Sequence, residues 1–593
     1  MAEKGGKYII GDLYQGGYSS LKPNFGELFA GHHIPSGSIG APTKPDTANQ
    51  IQQINQLINQ GIVPIEAGVL SPEVFDQIPK QHFKEMGRMA KITGTKLSVH
   101  APLIEPSGID PEGRRPWGSV YRELAENQLN DMVDKVHDIK SQEPIPITVH
   151  SSGLPGTEYG MGKEGKEIRR LIAINRETGK LVPLEKETMY IPGGNLEKPE
   201  IRDAKTEIKI LNDSEWSNSL SQVVYYKENA DRILSEIKPY FHYLKEKESR
   251  GEPIEEGVID QEAMKRAGNA DLYLRDAHKY LNSLFSKAYK YGNEEEKKKL
   301  LEVSGDFKKE MDKDSTSIGV SNALQTLIGG MSHISPEMYV PIEKFALDKS
   351  SETFANVALK AYDKYKDEAP TICVENMFPG MAFNAAIGEQ DIPGVGNLIL
   401  ESRNKFVQKA VEKGISEGEA RKQAERLIGM TLDTGHLNIA KKQGFKDKDL
   451  KKEVEEISKY IKHVHLSDNF GYSDSHLPVG MGNAPFKDIL EELEKKGIKS
   501  RKIAEAGGFV QHFGTSPYPF LLEAMGSPIY SMQMAPYWNQ SLGLQQGYFS
   551  GYGQMLTQGN YDSFGAGFSA LPTELGGQRG GAGGSRMSGK PME

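Results

Sequence analysis

Short apolar runs alternate with amphipathic stretches along much of this chain, and this alternation predicts strands that are followed by helices. The stretches carry apolar residues at helical spacing, as Ile51, Ile54 and Ile58 do. Eight short runs predict strands at residues 37–42, 62–67, 96–100, 145–150, 371–375, 429–433, 461–466 and 501–505. Eight strand–helix units that close on themselves form a (β/α)8 barrel, so we expect an α/β protein with the TIM-barrel fold.

The helices between these strands follow the same apolar periodicity. They are predicted at residues 46–59, 72–92, 118–139, 352–366, 397–427, 446–460, 486–496 and 518–524. After strand four the alternation stops, and residues 155–344 carry long charged amphipathic patterns instead. These patterns predict helices at 218–245, 261–291 and 294–313, beside one hairpin at 168–190. We interpret this segment as a large, mainly helical insertion.

Both ends of the chain depart from the barrel pattern. The start is weakly periodic, with one strand predicted at 8–11, and the tail from about residue 526 is rich in Gly, Gln, Ser and Tyr. Aromatic residues are too frequent up to residue 572 for a disordered segment, so we expect irregular structure that packs on the barrel and ends in a flexible stretch. The predicted division is an N-terminal extension (1–35), the first part of the barrel (36–154), the insertion (155–344), the second part of the barrel (345–526) and a C-terminal extension (527–593).

Composition and charge restrict the class of protein. With 593 residues the chain is long enough for more than one domain, and its formal net charge of -9 gives no overall basic character of the kind typical of nucleic-acid-binding proteins. A local basic groove is compatible with that charge. The single cysteine, Cys373, excludes an intramolecular disulfide and a cysteine-rich zinc site. The sequence has no apolar leader and no apolar run long enough to span a membrane, so we expect a cytoplasmic protein without a membrane partner.

Residues that bind metals stand at the ends of six of the eight predicted strands. There are nine of them: His100, His150, Glu375, Asp433, His436, His465, Asp474, His476 and Glu505. Because the carboxyl ends of barrel strands meet at one mouth, we expect these side chains to converge there. Imidazoles and carboxylates without a thiol suit Zn²⁺ or Mn²⁺, and nine ligands suffice for three ions if one carboxylate is shared. Glu66 is left out, since it either faces the mouth or closes the barrel.

The motifs that contain these residues resemble a known family. They are VHAP at 99–102, VHSSG at 149–153, VEN at 374–376, LDTGH at 432–436, HVHLSDN at 463–469, DSHLPVGMG at 474–482 and AEAGG at 504–508. Together they resemble the endonuclease IV family (AP endonuclease family 2), which belongs to the xylose isomerase-like TIM-barrel superfamily. The resemblance spans residues 36–154 and 345–525 and covers neither the insertion nor the tail.

The resemblance implies a metal-dependent phosphodiester hydrolase that cleaves DNA at an abasic site with up to three Zn²⁺ ions. It assigns the ligands to the ions in this way: His100, His150 and Glu375 to the first, Glu375, Asp433, His465 and Glu505 to the second, and His436, Asp474 and His476 to the third. A metal-activated hydroxide would attack the phosphodiester in line, so no side-chain nucleophile is required. Arg114 and Arg115, which follow the third strand, are the candidate DNA contacts.

A sugar or sugar-phosphate isomerase or epimerase of the same superfamily is the alternative. Such enzymes resemble this sequence at four ligands: Glu375, Asp433, His465 and Glu505. These would bind one divalent ion such as Mn²⁺, and the two glutamates would be the catalytic acid–base pair beside a sugar carbonyl. The acidic charge, the large insertion and Leu103, where the endonuclease family has an aromatic residue, favour this alternative, whereas His100, His150 and the Asp474–His476 pair favour the hydrolase. A third hypothesis is a non-enzymatic scaffold, and the oligomeric state stays open.

Overall fold

The computed structural model describes residues 39–507, 509 and 517, apart from gaps at 70, 142, 164, 191–199, 251–260, 385, 387, 389–390 and 499. The strand predicted at 8–11, the helix predicted at 518–524 and the packing predicted for the C-terminal extension lie outside the described residues. Contacts divide the chain into two compact units. The first comprises the residues up to Ile174, Thr178–Pro183 and those from Pro341 onward, and the second comprises Asn175–Glu177 and Leu184–Val340. The predicted boundaries of the five segments stay a prediction.

Eight parallel strands close into a barrel in the first unit. The strands of the described chain are β1 (Ile39–Pro42), β2 (Pro64–Gly68), β3 (Lys96–His100), β4 (Pro146–His150), β5 (Glu158–Gly162), β6 (Gly165–Asn175), β7 (Leu181–Glu185), β8 (Glu187–Met189), β9 (Glu200–Arg202), β10 (Tyr339–Pro341), β11 (Thr371–Glu375), β12 (Ile428–Asp433), β13 (Ile461–Leu466) and β14 (Arg501–Ala504). The barrel follows the order β1, β2, β3, β4, β11, β12, β13, β14, and β14 pairs with β1. The predicted (β/α)8 barrel is therefore confirmed, with every strand within two residues of its predicted bounds.

Helices connect the barrel strands and fill the inserted segment. They are α1 (Gln50–Asn59), α2 (Pro72–Asp76), α3 (Lys80–Thr93), α4 (Ser119–His137), α5 (Ala204–Ser249), α6 (Gln261–Tyr291), α7 (Glu294–Lys313), α8 (Ser317–Met331), α9 (Ile342–Tyr365), α10 (Val395–Glu412), α11 (Glu417–Leu427), α12 (Thr434–Asn438), α13 (Asp447–Ile457) and α14 (Phe486–Lys495). None of these described helices is both long and apolar enough to cross a membrane.

Two predicted helices are each divided in the structure. The single helix predicted for 72–92 is wrong, because Pro79 adopts extended backbone between α2 and α3 and has no N–H for a continuing helix. The single helix predicted for 397–427 is also wrong. Gly414 adopts a left-handed φ of +87° after α10, and the Ser416 hydroxyl then accepts a hydrogen bond from a first-turn N–H of α11.

The second unit is a helical bundle with a hydrophobic core of its own. Helices α5 to α8 bury side chains that include Trp216, Leu220, Leu274, Leu281, Leu324 and Leu327. The indole N–H of Trp216 on α5 donates to the carbonyl of Met331 on α8 at 2.9 Å. The prediction lacks α8, because its sequence is small or apolar at most positions and carries no charged residue to mark an exposed face. The expected mainly helical insertion is present.

The register of the parallel strands brings polar strand ends side by side. Glu375 pairs with His150 across β11 and β4, and Asp433 pairs with His465 across β12 and β13. Strands β4 and β11 therefore pair directly, although the inserted residues separate them in the chain. The insertion interrupts the chain without interrupting the barrel.

A buried carboxyl in the first turn of α9 makes the stability of the barrel depend on pH. The Thr157 N–H donates to Oε1 of Glu343 at 2.5 Å, while Oε2 has no hydrogen-bond partner among the described residues. Burial raises the pKa of Glu343 to about 7 from its ordinary 4.5. The folded protein thus keeps a proton that the unfolded chain releases, so stability is lost as the pH rises through this window.

We expect Glu343→Gln to remove part of the fall in unfolding free energy between pH 4.5 and 7, because an amide has no proton to lose there. Denaturant unfolding of both proteins across this range measures the difference between the two pH profiles. Glu455→Gln, on the exposed face of α13, is the matched control and should leave the wild-type profile unchanged. Identical profiles for wild type and Glu343→Gln would contradict the assignment.

Candidate metal centre

The structure brings all nine predicted ligands together at the carboxyl ends of the barrel strands. Their donor atoms form four groups, in each of which the atoms lie within 4.8 Å of one another. Three of these groups together contain all nine side chains and are called the three clusters here, and the fourth, made of His100, His465 and Glu505, overlaps the first and second. The first cluster is His100, His150 and Glu375, the second is Glu375, Asp433, His465 and Glu505, and the third is His436, Asp474 and His476. Glu375 belongs to two clusters, so the arrangement contains the shared carboxylate that three ions require.

The first cluster joins the ends of β3, β4 and β11. Oε2 of Glu375 lies 3.4 Å from Nε2 of His100 and 3.2 Å from Nε2 of His150. Nδ1 of His100 donates to the carbonyl of Ala101 at 2.8 Å, because a carbonyl oxygen can only accept. In a neutral imidazole this leaves the lone pair of Nε2 facing a carboxylate oxygen. A cation between the two atoms relieves that repulsion.

The second cluster is the most deeply buried. Nδ1 of His465 lies 2.8 Å from Oε1 of Glu375 and 3.5 Å from Oε1 of Glu505. Oδ1 of Asp433 accepts hydrogen bonds from the N–H of His436 and from the hydroxyl of Ser467. Its other oxygen, Oδ2, has no hydrogen-bond partner among the described residues. One carboxylate oxygen of Asp433 is therefore held by the fold, and the other is free to bind an ion.

The third cluster stands on α12 and on the loop after β13. Nδ1 of His436 donates to the carbonyl of Asn376 at 2.8 Å, and its Nε2 lies 3.2 Å from Oδ2 of Asp474. Nε2 of His476 lies 2.9 Å from the same oxygen. His476 adopts a positive φ of +46°, which is uncommon for a residue with a side chain and is found at sites where the surroundings impose the conformation.

The electrostatics of the cluster residues favour a cation. Burial opposes a charge on His100 and His476, but the adjacent carboxylates of Glu375 and Asp474, respectively, outweigh it and raise the pKa of each imidazole to about 9. Burial alone would raise the pKa of Glu375, yet His465 and the other histidines hold it well below its ordinary value. The buried carboxylates thus demand positive charge, which either protons or metal ions supply.

Buried carboxylate oxygens without a hydrogen-bond partner also indicate that the three clusters suit metal ions. Oε2 of Glu375, Oδ2 of Asp433 and Oδ1 of Asp474 make no hydrogen bond to any described residue. Such atoms are costly in a folded protein unless water or an ion satisfies them. Each of the three belongs to one of the clusters, and the donors are imidazole nitrogens and carboxylate oxygens. This donor set fits Zn²⁺ or Mn²⁺.

A buried carboxylate holds the loop that carries Asp474 and His476. Oδ2 of Asp468 accepts the N–H groups of Gly480 and Gly482 at 2.9 and 2.8 Å, and Oδ1 accepts those of Asn469 and Ala484. A Cβ at Gly482 would lie 2.4 Å from Oδ1 of Asp468, so only glycine fits there. The loop is therefore closed at its base by Asp468 although its tip is irregular.

The two arginines predicted to bind substrate lie in the loop between β3 and α4. Arg114 forms an ion pair with Glu112, and the guanidinium of Arg115 lies 3.8 Å from the ring centre of Tyr121. Their side chains engage these neighbours and not the nine ligands. Their role in substrate binding stays a prediction.

Sequence reasoning missed two residues beneath the centre. Glu66 on β2 and His463 on β13 are fully buried, and Oε2 of Glu66 accepts a hydrogen bond from Nε2 of His463 at 2.9 Å. Oε1 of Glu66 lies 2.9 Å from Nε2 of His465. The alternation along β13, which puts His463 and His465 on one face, is the signal that points to this arrangement.

Comparisons with known proteins agree with this fold. Residues 348–509 match the family described as xylose isomerase-like TIM barrel, which confirms the resemblance at the level of this family. A stretch of 85 residues is 39% identical to the uncharacterized protein MJ1311 of Methanocaldococcus jannaschii and covers 13% of this chain and 28% of that protein. The chain thus spans less than a third of that relative's length.

Several solved structures are also similar. They are a D-tagatose 3-epimerase-like protein (TM-score 0.33, 13% identity, 79% of this chain and 89% of that chain), an L-ribulose 3-epimerase (TM-score 0.34, 9% identity, 88% and 97%) and the D-psicose 3-epimerase of Clostridium cellulolyticum H10 (TM-score 0.35, 9% identity, 83% and 97%).

We expect Asp468→Asn to lower the unfolding free energy by about 3 kcal/mol, because an amide nitrogen cannot accept the N–H groups that one carboxylate oxygen now accepts. Chemical denaturation measures the change. Asp488→Asn, in the exposed first turn of α14, is the matched control and should change the unfolding free energy by less than about 1 kcal/mol. Equal losses in both variants would show that Asp468 does not hold the loop.

Proposed function

We propose that this protein, in which residues 348–509 match the xylose isomerase-like TIM-barrel family, is a metal-dependent phosphodiester hydrolase of the endonuclease IV type. The observation that carries the proposal is the third cluster. Nδ1 of His476 lies 3.6 Å from Oε2 of Glu505, so the third cluster is continuous with the second. A sugar isomerase that uses one ion needs only the second cluster, whereas a hydrolase with three ions needs all three.

The ligand side chains divide into a buried floor and a partly exposed rim. His465 is 0% exposed at its side chain, whereas His150, Asp474 and His476 are 20%, 24% and 30% exposed. A phosphodiester can therefore approach the rim that these three residues form. Bound divalent ions would supply Lewis-acid chemistry there, since they lower the pKa of water and neutralise phosphate charge.

The residues of this chain have two tasks in that reaction. Glu375 stays ionised between the first and second clusters, because histidines on both sides hold its pKa below the ordinary value. His100 and His436 are fixed by carbonyl acceptors, so each presents Nε2 to its cluster. The proposed reaction needs no serine or cysteine nucleophile, since water is the attacking group. DNA with an abasic site is the substrate class that the resemblance to endonuclease IV implies.

A specific observation favours the epimerase as the second candidate. Glu375 and Glu505 both approach Nδ1 of His465, at 2.8 and 3.5 Å, so two carboxyl groups flank one ion position. Burial raises the pKa of Glu505, whereas the pKa of Glu375 lies well below its ordinary value. A protonated and an ionised carboxyl on the two sides of a sugar carbonyl form the acid–base pair of a proton-transfer enzyme. This reaction leaves the third cluster without a task.

Metal content separates the two candidates. We expect about three ions per chain in elemental analysis of metal-replete protein, one for each cluster. His476→Ala should remove about one ion, because it deletes a donor of the third cluster only. His333→Ala, at an exposed position of the second unit, is the matched control and should leave the metal content unchanged. A wild-type content of one ion would favour the epimerase.

Activity provides the direct test. We expect the protein to cleave a duplex that carries an abasic site, and Glu375→Gln to reduce the rate by more than about a thousandfold, because that carboxylate belongs to two clusters. His476→Ala should abolish cleavage as well. A different outcome would favour the epimerase: the wild type interconverts ketoses but cleaves no phosphodiester, and His476→Ala keeps the ketose activity.

A further inference from the structure

Behind the metal centre lie two ionisable side chains, Glu66 and His463, to which the proposed reaction assigns no task and which accompany the ligand His465. Glu66, His463 and His465 are all 0% exposed and lie in the interior of the barrel. The two carboxylate oxygens of Glu66 lie 2.9 Å from Nε2 of His463 and 2.9 Å from Nε2 of His465. One buried carboxylate thus contacts two imidazoles that lie on the same face of β13.

The orientation of His465 decides which of its nitrogens meets the second cluster. Nδ1 faces Glu375 and Glu505, so Nδ1 is the nitrogen that would hold an ion. An imidazole nitrogen binds a metal ion through its lone pair, so the ring proton must then be on Nε2. Neither Nε2 of His465 nor Oε1 of Glu66 has a hydrogen-bond partner among the described residues, and the two atoms lie 2.9 Å apart, so Oε1 is the acceptor within reach of a proton on Nε2.

His463 fixes the carboxylate in turn. Its Nε2 donates to Oε2 of Glu66, and its ring stands edge-on to that of His465, with centroids 5.2 Å apart at an interplanar angle of 82°. Because all three side chains are sealed from solvent, no bulk water can replace either contact. A carboxylate behind a ligating histidine selects the tautomer of that histidine and holds its ring in place.

We propose that Glu66 and His463 are positioning residues that present Nδ1 of His465 to the second cluster and thereby set the affinity of that cluster for a divalent ion. The proposal rests on the metal centre of the proposed function. It concerns the cluster that the hydrolase and the epimerase share, so it does not depend on which substrate is correct. Neither residue touches the substrate in this role, since both lie beneath the floor of the site.

Glu66→Gln tests the first contact. A glutamine amide accepts through one side only and presents an N–H2 group to the other histidine, so it cannot serve both rings. We expect the zinc affinity of the metal-free protein, measured by competition with a chromophoric chelator, to fall by about 10- to 100-fold for one ion. Glu343→Gln is the matched control, because it changes another buried glutamate that contacts none of the nine ligands, and it should bind zinc as the wild type does.

Two substitutions of His463 keep the test decisive if Glu66→Gln does not fold. His463→Leu removes the donor to Glu66 and should weaken zinc binding in the same direction. His463→Gln supplies an N–H2 donor in its place and should bind zinc more tightly than His463→Leu. A purely structural role would change the unfolding midpoint of the metal-free protein but would not produce this rescue of zinc affinity.

The outcomes separate this inference from the proposed function. If Glu66→Gln and His463→Leu both fold and both bind zinc as tightly as the wild type does, the positioning role is overturned, whatever the substrate. Loss of one whole ion from Glu66→Gln, with the other affinities unchanged, would also overturn it, since Glu66, His463 and His465 would then be a binding site themselves. A zinc affinity that falls as expected, in a protein that cleaves no phosphodiester, would support the inference and contradict the hydrolase.

Discussion

The candidate site depends on one buried carboxylate, that of Glu375, because it contacts histidines from three different strands. Its Oε2 lies near Nε2 of His100 and of His150, and its Oε1 lies near Nδ1 of His465. A carboxylate that is 1% exposed is stable in its ionised form only if positive charge surrounds it. Glu375 therefore accounts both for the histidines around it and for any bound ion. Closure of the barrel is what brings β3, β4, β11 and β13 close enough for these contacts.

The barrel supplies the first and second clusters from rigid strand ends, whereas the third cluster needs a loop. Asp468 closes that loop at its base by accepting backbone N–H groups on both sides of the segment that holds Asp474 and His476. This division bears on the proposed function, since the second cluster alone suffices for a one-ion epimerase, whereas the proposed hydrolase also needs the strand-borne first cluster and the loop-borne third cluster. The proposed hydrolysis therefore depends in part on a loop that the barrel fold itself does not require.

The inserted segment is compatible with this site because it leaves the barrel register intact. Strands β4 and β11 pair over their whole length, from Thr371 opposite Pro146 to Glu375 opposite His150. The helices of the second unit meanwhile bury their apolar faces against one another around Trp216 and Leu324. The second unit thus has a core of its own, and the direct pairing of β4 with β11 keeps Glu375 beside His150 at the strand ends.

The sequence by itself determined the eight barrel strands and the set of nine ligands, because strand signals are local and the ligand types stand at the predicted strand ends. That these ligands bind metal stays a prediction. It did not determine where Pro79 and Gly414 divide helices, since continuous apolar periodicity masked those breaks. Only the tertiary structure decided the position of Glu66, which the sequence left open, and placed it beneath the strand ends beside His463 and His465. Its partner His463 lies 397 residues away, and no local pattern specifies a contact that exists only once the barrel has closed.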